Sequence, residues 1–169
     1  MDKQKSAIQI EWIDHSDMTE EESVFYRGFW QAYASHSAEE MGLKDKTLYL
    51  KDLFSQVRKQ CKYGGTISAR AVDKGRCVGF VHFKKMLAPD QIYVSQLAVD
   101  PDYWGRGIGK ELLFSIFKRY PSTNALFMDY RKLNHPAAAF ARACGFRSSN
   151  YLSPEVDPER YQGVEWRAQ

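Results

Sequence analysis

The sequence predicts one α/β (α+β) domain over residues 1–169, built around one sheet. Three observations predict it. Three consecutive strand-like runs between residues 66 and 99 are joined by short turns, as in an antiparallel meander. Helical apolar patterns lie before and after that block. With 44% hydrophobic and 27% charged residues, a chain of 169 residues has the composition of a globular protein and the length to bury one core.

The elements follow in order. "IQIEWI" (8–13) alternates as a first strand. "TEEE" from Thr19 reads as a capping box, Thr19 answering Glu22, and opens a helix whose apolar face is Phe25, Tyr26, Phe29, Trp30 and Tyr33. A second helix is expected from about Thr47, with Leu50, Leu53, Phe54, Val57 and Cys61 at helical spacing, before "YGG" (63–65) breaks the chain. The meander is "TISARAVD" (66–73), "RCVGFVHFKKM" (76–86) and "QIYVSQLAV" (91–99). A third helix from about Gly107 packs through Ile108, Leu112, Leu113, Ile116 and Phe117. "NALFMDY" (124–130) is strand-like, and "NHPAAAFARACGF" (134–146) contains a short helix with Asn134 as N-cap and Gly145 at C′. A last strand is expected near "GVEWRA" (163–168). The order is β-α-α-β-β-β-α-β-α-β.

Composition narrows the function classes. A net charge of +3, with basic residues spread along the chain, gives no footprint for nucleic acid. The three cysteines, Cys61, Cys77 and Cys144, are odd in number and lack metal-ligand spacing, so they read as reduced thiols of a cytoplasmic protein without a metal site. No signal-peptide core and no bilayer-spanning run is visible, so neither export nor a membrane partner is expected.

The chemistry concentrates in "DPDYWGRGIGKELL" (100–113). A strand ending at Val99, a tight loop and a helix start leave unpaired backbone N–H groups, which with the helix dipole form an anion site. Gly105, Gly107 and Gly109 let the backbone approach a bulky diphosphate, and Arg106 and Lys110 add charge. One glycine would suffice for a sharp turn. "GRGIG" does not have the dinucleotide-fingerprint spacing and follows a meander rather than a first parallel strand. A P-loop is excluded because Gly109-Lys110 is followed by Glu111.

"LAVDPDYWGRGIGKELL" (97–113) resembles the acetyl-CoA-binding signature of GCN5-related N-acetyltransferases, the GNAT superfamily, Q/R-x-x-G-x-G/A after a strand ending in a hydrophobic run. "NHPAAAFARACGF" resembles the second signature, N-x-x-A-x-x-x-Y-x-x-x-G-F, with Asn134, Ala137, Gly145 and Phe146 in place. The resemblance covers about residues 66 to 149. It implies a GNAT-like mixed, mostly antiparallel central sheet flanked by helices and splayed between its fourth and fifth strands. It also implies a CoA pyrophosphate on the loop of Gly105, Arg106, Gly107, Ile108, Gly109 and Lys110, and a pantetheine arm along Leu97, Ala98 and Val99. Asn134, at the head of the second motif, completes the cofactor-binding set.

The implied activity is N-acetyl transfer from acetyl-CoA to a primary amine of a small molecule or protein, by direct attack through a tetrahedral intermediate. The alternative is a catalytically weak CoA-binding regulatory module. The oligomeric state stays open, a dimer being one arrangement. Two positions depart from the family pattern. Trp104 stands at the Q/R position, and Ala141 stands where the family carries a tyrosine that protonates the leaving thiolate. A thiol of pKa about 8.5 leaves tolerably as the anion, so loss of that acid implies a slower or differently equipped enzyme, with Tyr130 or a water as substitute. The fourth-strand glutamate that often serves as base is also missing. Tyr93 occupies that position and His82 lies on the neighbouring strand, and core packing competes with catalysis for both. Trp30 and Tyr33 could wall an acceptor site, and Glu39 and Glu40 could attract a cationic amine. His135 flanks a helix cap, while His15 and His36 carry no pattern.

Overall fold

The computed structural model describes residues 7–13 and 18–169; His15 lies outside them. The order is β1 (Gln9–Ile13), α1 (Thr19–Ala32), α2 (Lys46–Tyr63), β2 (Ile67–Asp73), β3 (Arg76–Lys85), β4 (Gln91–Val99), a 3₁₀ turn (Pro101–Tyr103), α3 (Ile108–Arg119), β5 (Ala125–Arg131), α4 (His135–Ala143), β6 (Arg147–Ser149) and β7 (Tyr161–Arg167). The strands form one seven-stranded sheet in the order β1-β2-β3-β4-β5-β7-β6. Every neighbouring pair is antiparallel except β4 and β5. The meander, the third helix and the mixed sheet are as the sequence predicts.

Strand alternation divides the side chains between two helical layers. On one face Ile108, Leu112, Leu113 and Ile116 of α3, Ala141 of α4 and the α4 C-cap Cys144 pack with Val81, Phe83, Ile92, Val94, Leu126 and Met128. On the other face Val24 of α1 meets Cys77 and Phe80, while Phe54, Val57 and Cys61 of α2 close around Met18. Phe29, Tyr33, Met41 and Leu50 form a further cluster between α1 and α2.

Three local expectations change. Thr19 is the first helical residue, and the cap position belongs to Met18, in left-handed conformation with no side-chain capping bond. Met18 is fully buried against α2, so its burial, rather than the capping box, sets where α1 begins. The Glu22 carboxylate pairs instead with Arg58 of α2. Helix α2 begins slightly earlier than Thr47, because Asp45 caps it through the Leu48 N–H at 2.8 Å. The three-residue strand β6 has no alternating apolar pattern and exists by pairing with the edge of β7. Asn134 and Gly145 behave as expected. Asn134 Oδ1 accepts from the Ala137 N–H at 3.1 Å. Gly145 sits at φ +85°, and the bonds Phe146 N–H to Ala141 O and Gly145 N–H to Arg142 O complete a Schellman motif.

The feature that positions the site is the joint between β4 and β5. They pair only through Gln91–Ala125, Ile92–Leu126 and Tyr93–Phe127. Just beyond, β4 carries an extra residue: His82 faces Gln96 and Phe83 faces Val94, leaving Ser95 as a bulge whose hydroxyl donates to His82 O at 3.2 Å. A bulge bends and twists its strand, so β4 turns from β5 and the sheet opens between Val94–Val99 and Met128–Arg131.

Candidate active site

The open joint forms the floor of a cleft of about 1120 Å³ that reaches from α1 and α2 on one side to the start of α3 and α4 on the other. Its α3 end is the glycine loop. The N–H groups from Gly105 to Lys110 find no backbone acceptor among the described residues, and the helical ladder starts only with Glu111 N–H to Gly107 O. Gly105 and Gly107 sit at φ +76° and +81°, a conformation that L side chains adopt only with strain. A Cβ built on either would have nothing within 4 Å, so the donors face open space. Those features fit a diphosphate. Gly109 answers to packing instead: its Cβ would lie 2.9 Å from Cε2 of Phe140. The first motif touches the second there.

The loop is held from both sides. Asp100, nearly buried, accepts Arg27 Nη1 of α1 at 2.6 Å and the Asp102 N–H at 3.0 Å, and Arg27 also reaches Asp102 at 2.9 Å. Trp104 donates its indole N–H to Val99 O at 2.7 Å, which ties the divergent motif position to the end of β4. Arg106 lies over the Tyr103 ring at 4.6 Å, and Arg106 and Lys110 are both exposed beside the free amides.

Beyond the joint, the face turned to α1 and α2 carries the polar chemistry. Tyr93 and Phe127 are register partners, so Asp129, two residues on from Phe127, shares the face of Tyr93. Tyr93 Oη donates to Asp129 Oδ2 at 3.2 Å, and the Ser153 N–H donates to the same oxygen at 3.0 Å. Tyr151, from the segment between β6 and β7, packs its ring against Tyr93 and Phe127 at 5.8 and 5.1 Å. Burial pushes the Asp129 carboxyl above the usual carboxylate range, against the opposing pull of the Ser153 N–H and the Tyr93 hydroxyl. Burial, with the Asp129 charge second, raises the Tyr93 phenol, so Tyr93 stays a donor and Asp129 is the acceptor of the pair. Sequence reasoning missed Asp129. The signal available was a carboxylate inside an apolar strand, "NALFMDY", where aspartate is depleted.

The remaining candidates divide. Leu97, Ala98, Val99, Gly105, Gly107, Ile108, Gly109, Lys110, Tyr130 and Asn134 all line the cleft. Tyr130 packs with the α3–α4 core, on the opposite face from Asp129. His82 lies outside the lining: it is fully buried between Phe80, at 4.7 Å, and Cys61, whose Sγ is 4.0 Å from Nδ1. Burial lowers its pKa to about 4, and among the described residues its Nε2 has no hydrogen-bond partner. Tyr33 lines the acceptor side, its phenol pushed up to about 12 by burial. Trp30 is turned out of the cleft, with Lys46 Nζ 5.4 Å from its ring. Glu40 is engaged locally, accepting the Ser37 N–H at 2.8 Å. Ala141 is 1% exposed in the core and does not line the cleft. Among the described residues no group of three metal-ligating side chains is placed to hold an ion, and no helix is long and apolar enough to cross a membrane.

Comparison with known proteins agrees with this fold. The crystal structure of PaiA N-acetyltransferase from Thermoplasma acidophilum in complex with coenzyme A superposes with a TM-score of 0.73 at 17% identity, covering 95% of this chain and 99% of that one. An acetyltransferase from Thermus thermophilus superposes with a TM-score of 0.70 at 17% identity, covering 96% and 97%. At those identities the likeness is one of fold. An uncharacterised Mycobacterium leprae protein is 31% identical over 86 residues, which are 50% of this chain and 23% of that longer protein. Residues 16–146 match the acetyltransferase (GNAT) family, and the chain belongs to it.

Proposed function

We propose that the protein transfers the acetyl group of acetyl-CoA to a primary amine. The observation that carries this reading is the opened β4–β5 joint, with unpaired loop amides at one end and the Tyr93–Asp129 pair on the opposite face. Acetyl-CoA supplies an activated thioester. The amides of Gly105 to Lys110, the positive end of α3 and the Arg106 and Lys110 side chains hold its pyrophosphate. The edge of β4 from Leu97 to Val99, which β5 does not pair, receives the pantetheine arm. Asn134 keeps α4 in register beside it through its cap.

The amine enters from the α1–α2 side. An ammonium has no lone pair, so attack requires that a proton be shed, and Asp129 is the group placed to take it. Tyr93 and the Ser153 N–H orient the carboxylate. Tyr130 or a water returns a proton to the leaving thiolate; His82, enclosed in the core, packs. The absence of a hydroxyl at Ala141 favours one competing reading, a weakly catalytic CoA-binding module.

Turnover measured by CoA release over a panel of amines, with acetyl-CoA binding measured in parallel, decides between the two. Asp129→Asn is expected to lower kcat by about 10²- to 10⁴-fold while acetyl-CoA affinity stays. Because the Asp129 pKa is raised, activity should decline as pH falls through that raised value, and the Asn variant should lose this limb. Binding without turnover of any amine would establish the binding module. An Asn variant with unchanged kcat would remove Asp129 from the chemistry.

A further inference from the structure

The acceptor side of the cleft also contains a cation that the transfer step does not use. Arg131, the last residue of β5, is only 9% exposed. Strand alternation puts it on the face of Asp129, about 7 Å farther along the strand. Its guanidinium lies 5.0 Å from the ring centroids of both Tyr49 and Tyr161, and Nη1 donates to Met41 O at 3.0 Å. Among the described residues no carboxylate lies within ion-pair distance of it. The neighbouring Arg160 is different: it is nearly half exposed and pairs with Asp157 at 3.5 Å.

A guanidinium stays protonated in a protein, so burial leaves Arg131 charged. A charge buried without a counter-ion is strongly unfavourable, and two aromatic rings, the Tyr49 hydroxyl and one carbonyl compensate it only in part. The planar fork has five N–H donors and matches a carboxylate in two parallel bonds. One donor is committed to the Met41 carbonyl and one is turned to the Tyr49 hydroxyl, which leaves part of the fork for a ligand, and Arg131 lines the same cleft as Asp129.

We infer that Arg131 selects the acceptor: the amine carries a carboxylate within a few bonds, bound by the Arg131 guanidinium between Tyr49 and Tyr161 while the amine faces Asp129. This rests on the acceptor lying on the α1–α2 side, as proposed above. It excludes simple alkylamines and polyamines as preferred acceptors. An uncharged amide in place of the carboxylate loses affinity, because the fork then faces a neutral group.

The test uses matched pairs: glycine and glycinamide, β-alanine and β-alaninamide, 4-aminobutyrate and butylamine. Each is titrated calorimetrically into the full chain saturated with CoA, and each is assayed for CoA release from acetyl-CoA. The acid of at least one pair should bind about 10- to 100-fold more tightly than its carboxylate-free partner, the range of a charge-assisted hydrogen-bonded pair. Arg131→Gln and the charge-retaining Arg131→Lys should shrink that gap, raising KM for the acid more than they lower kcat, with acetyl-CoA affinity unchanged. Carboxylate-free amines that bind as well as the acids would overturn the inference. So would Arg131→Gln weakening both members of a pair equally, the result expected if Arg131 only holds the Met41 carbonyl. The comparison within pairs on the unmodified protein stands even if the variants fold poorly. Acids that bind through Arg131 without turnover would uphold the anion site and refute the transfer reaction; turnover without preference for acids would do the reverse. No binding and no turnover would refute both.

Discussion

His82 offers a quantitative separation of packing from catalysis. Its pKa falls from 6.5 to about 4 because the ring is buried, and no charged partner among the described residues compensates. The unfolded chain therefore binds a proton between those values that the folded protein refuses. Stability is fully present above pH 6.5 and is lost as pH falls toward 4. At about 1.36 kcal/mol per pKa unit, this one imidazole accounts for about 2 kcal/mol of lost stability between pH 7 and pH 5. Leucine has a similar volume and no proton to gain. His82→Leu also removes the orphaned Nε2, whose burial costs about 1–3 kcal/mol, and gives up the 4.0 Å contact to Cys61 and the ring contact with Phe80. Urea denaturation of both proteins at pH 7 and pH 5 is the assay. Asp129, whose raised pKa acts in the opposite sense, is common to both and cancels in the difference. The stability difference should move by about 2 kcal/mol in favour of the variant at the lower pH. Parallel losses would show that the imidazole is already protonated or solvated in the native state. A folded variant with turnover reduced 100-fold or more would make His82 catalytic after all.

Two further substitutions test the cleft. Gly107→Val places a β-branched residue at φ +81° and fills the space before the loop amides, so acetyl-CoA binding by calorimetry should weaken at least tenfold. The backbone strain should cost about 1–2 kcal/mol of stability, and full affinity in a folded variant would move the pyrophosphate elsewhere. Ala141→Tyr, which restores the family residue, meets a packed core at 1% exposure and should destabilise the fold by about 1–3 kcal/mol in thermal or urea unfolding. A stable variant with faster turnover at low pH would show that the core yields there and that the hydroxyl reaches the thiolate.

Much of this protein was legible in the chain itself. The meander showed in its alternation, Asn134 and Gly145 marked the ends of α4, and Gly105 and Gly107 announced a left-handed loop at a helix start. These are short-range requirements: a backbone conformation or a capping bond is written in residues within one turn of each other. The start of α1 was not legible, because the burial of Met18 against α2 displaced the capping box at Thr19. Neither was β6, which has no pattern of its own and is a strand only because β7 lies beside it. The candidate chemistry depended most on the tertiary structure. Tyr93 meets Asp129 across 36 residues of sequence, and Arg131 meets the Met41 carbonyl across 90. A bulge at Ser95 opens the joint between them. Burial, ion pairing and the raising of a carboxyl pKa depend on what the folded chain brings near, so the composition of the acceptor side was decided only when the sheet formed.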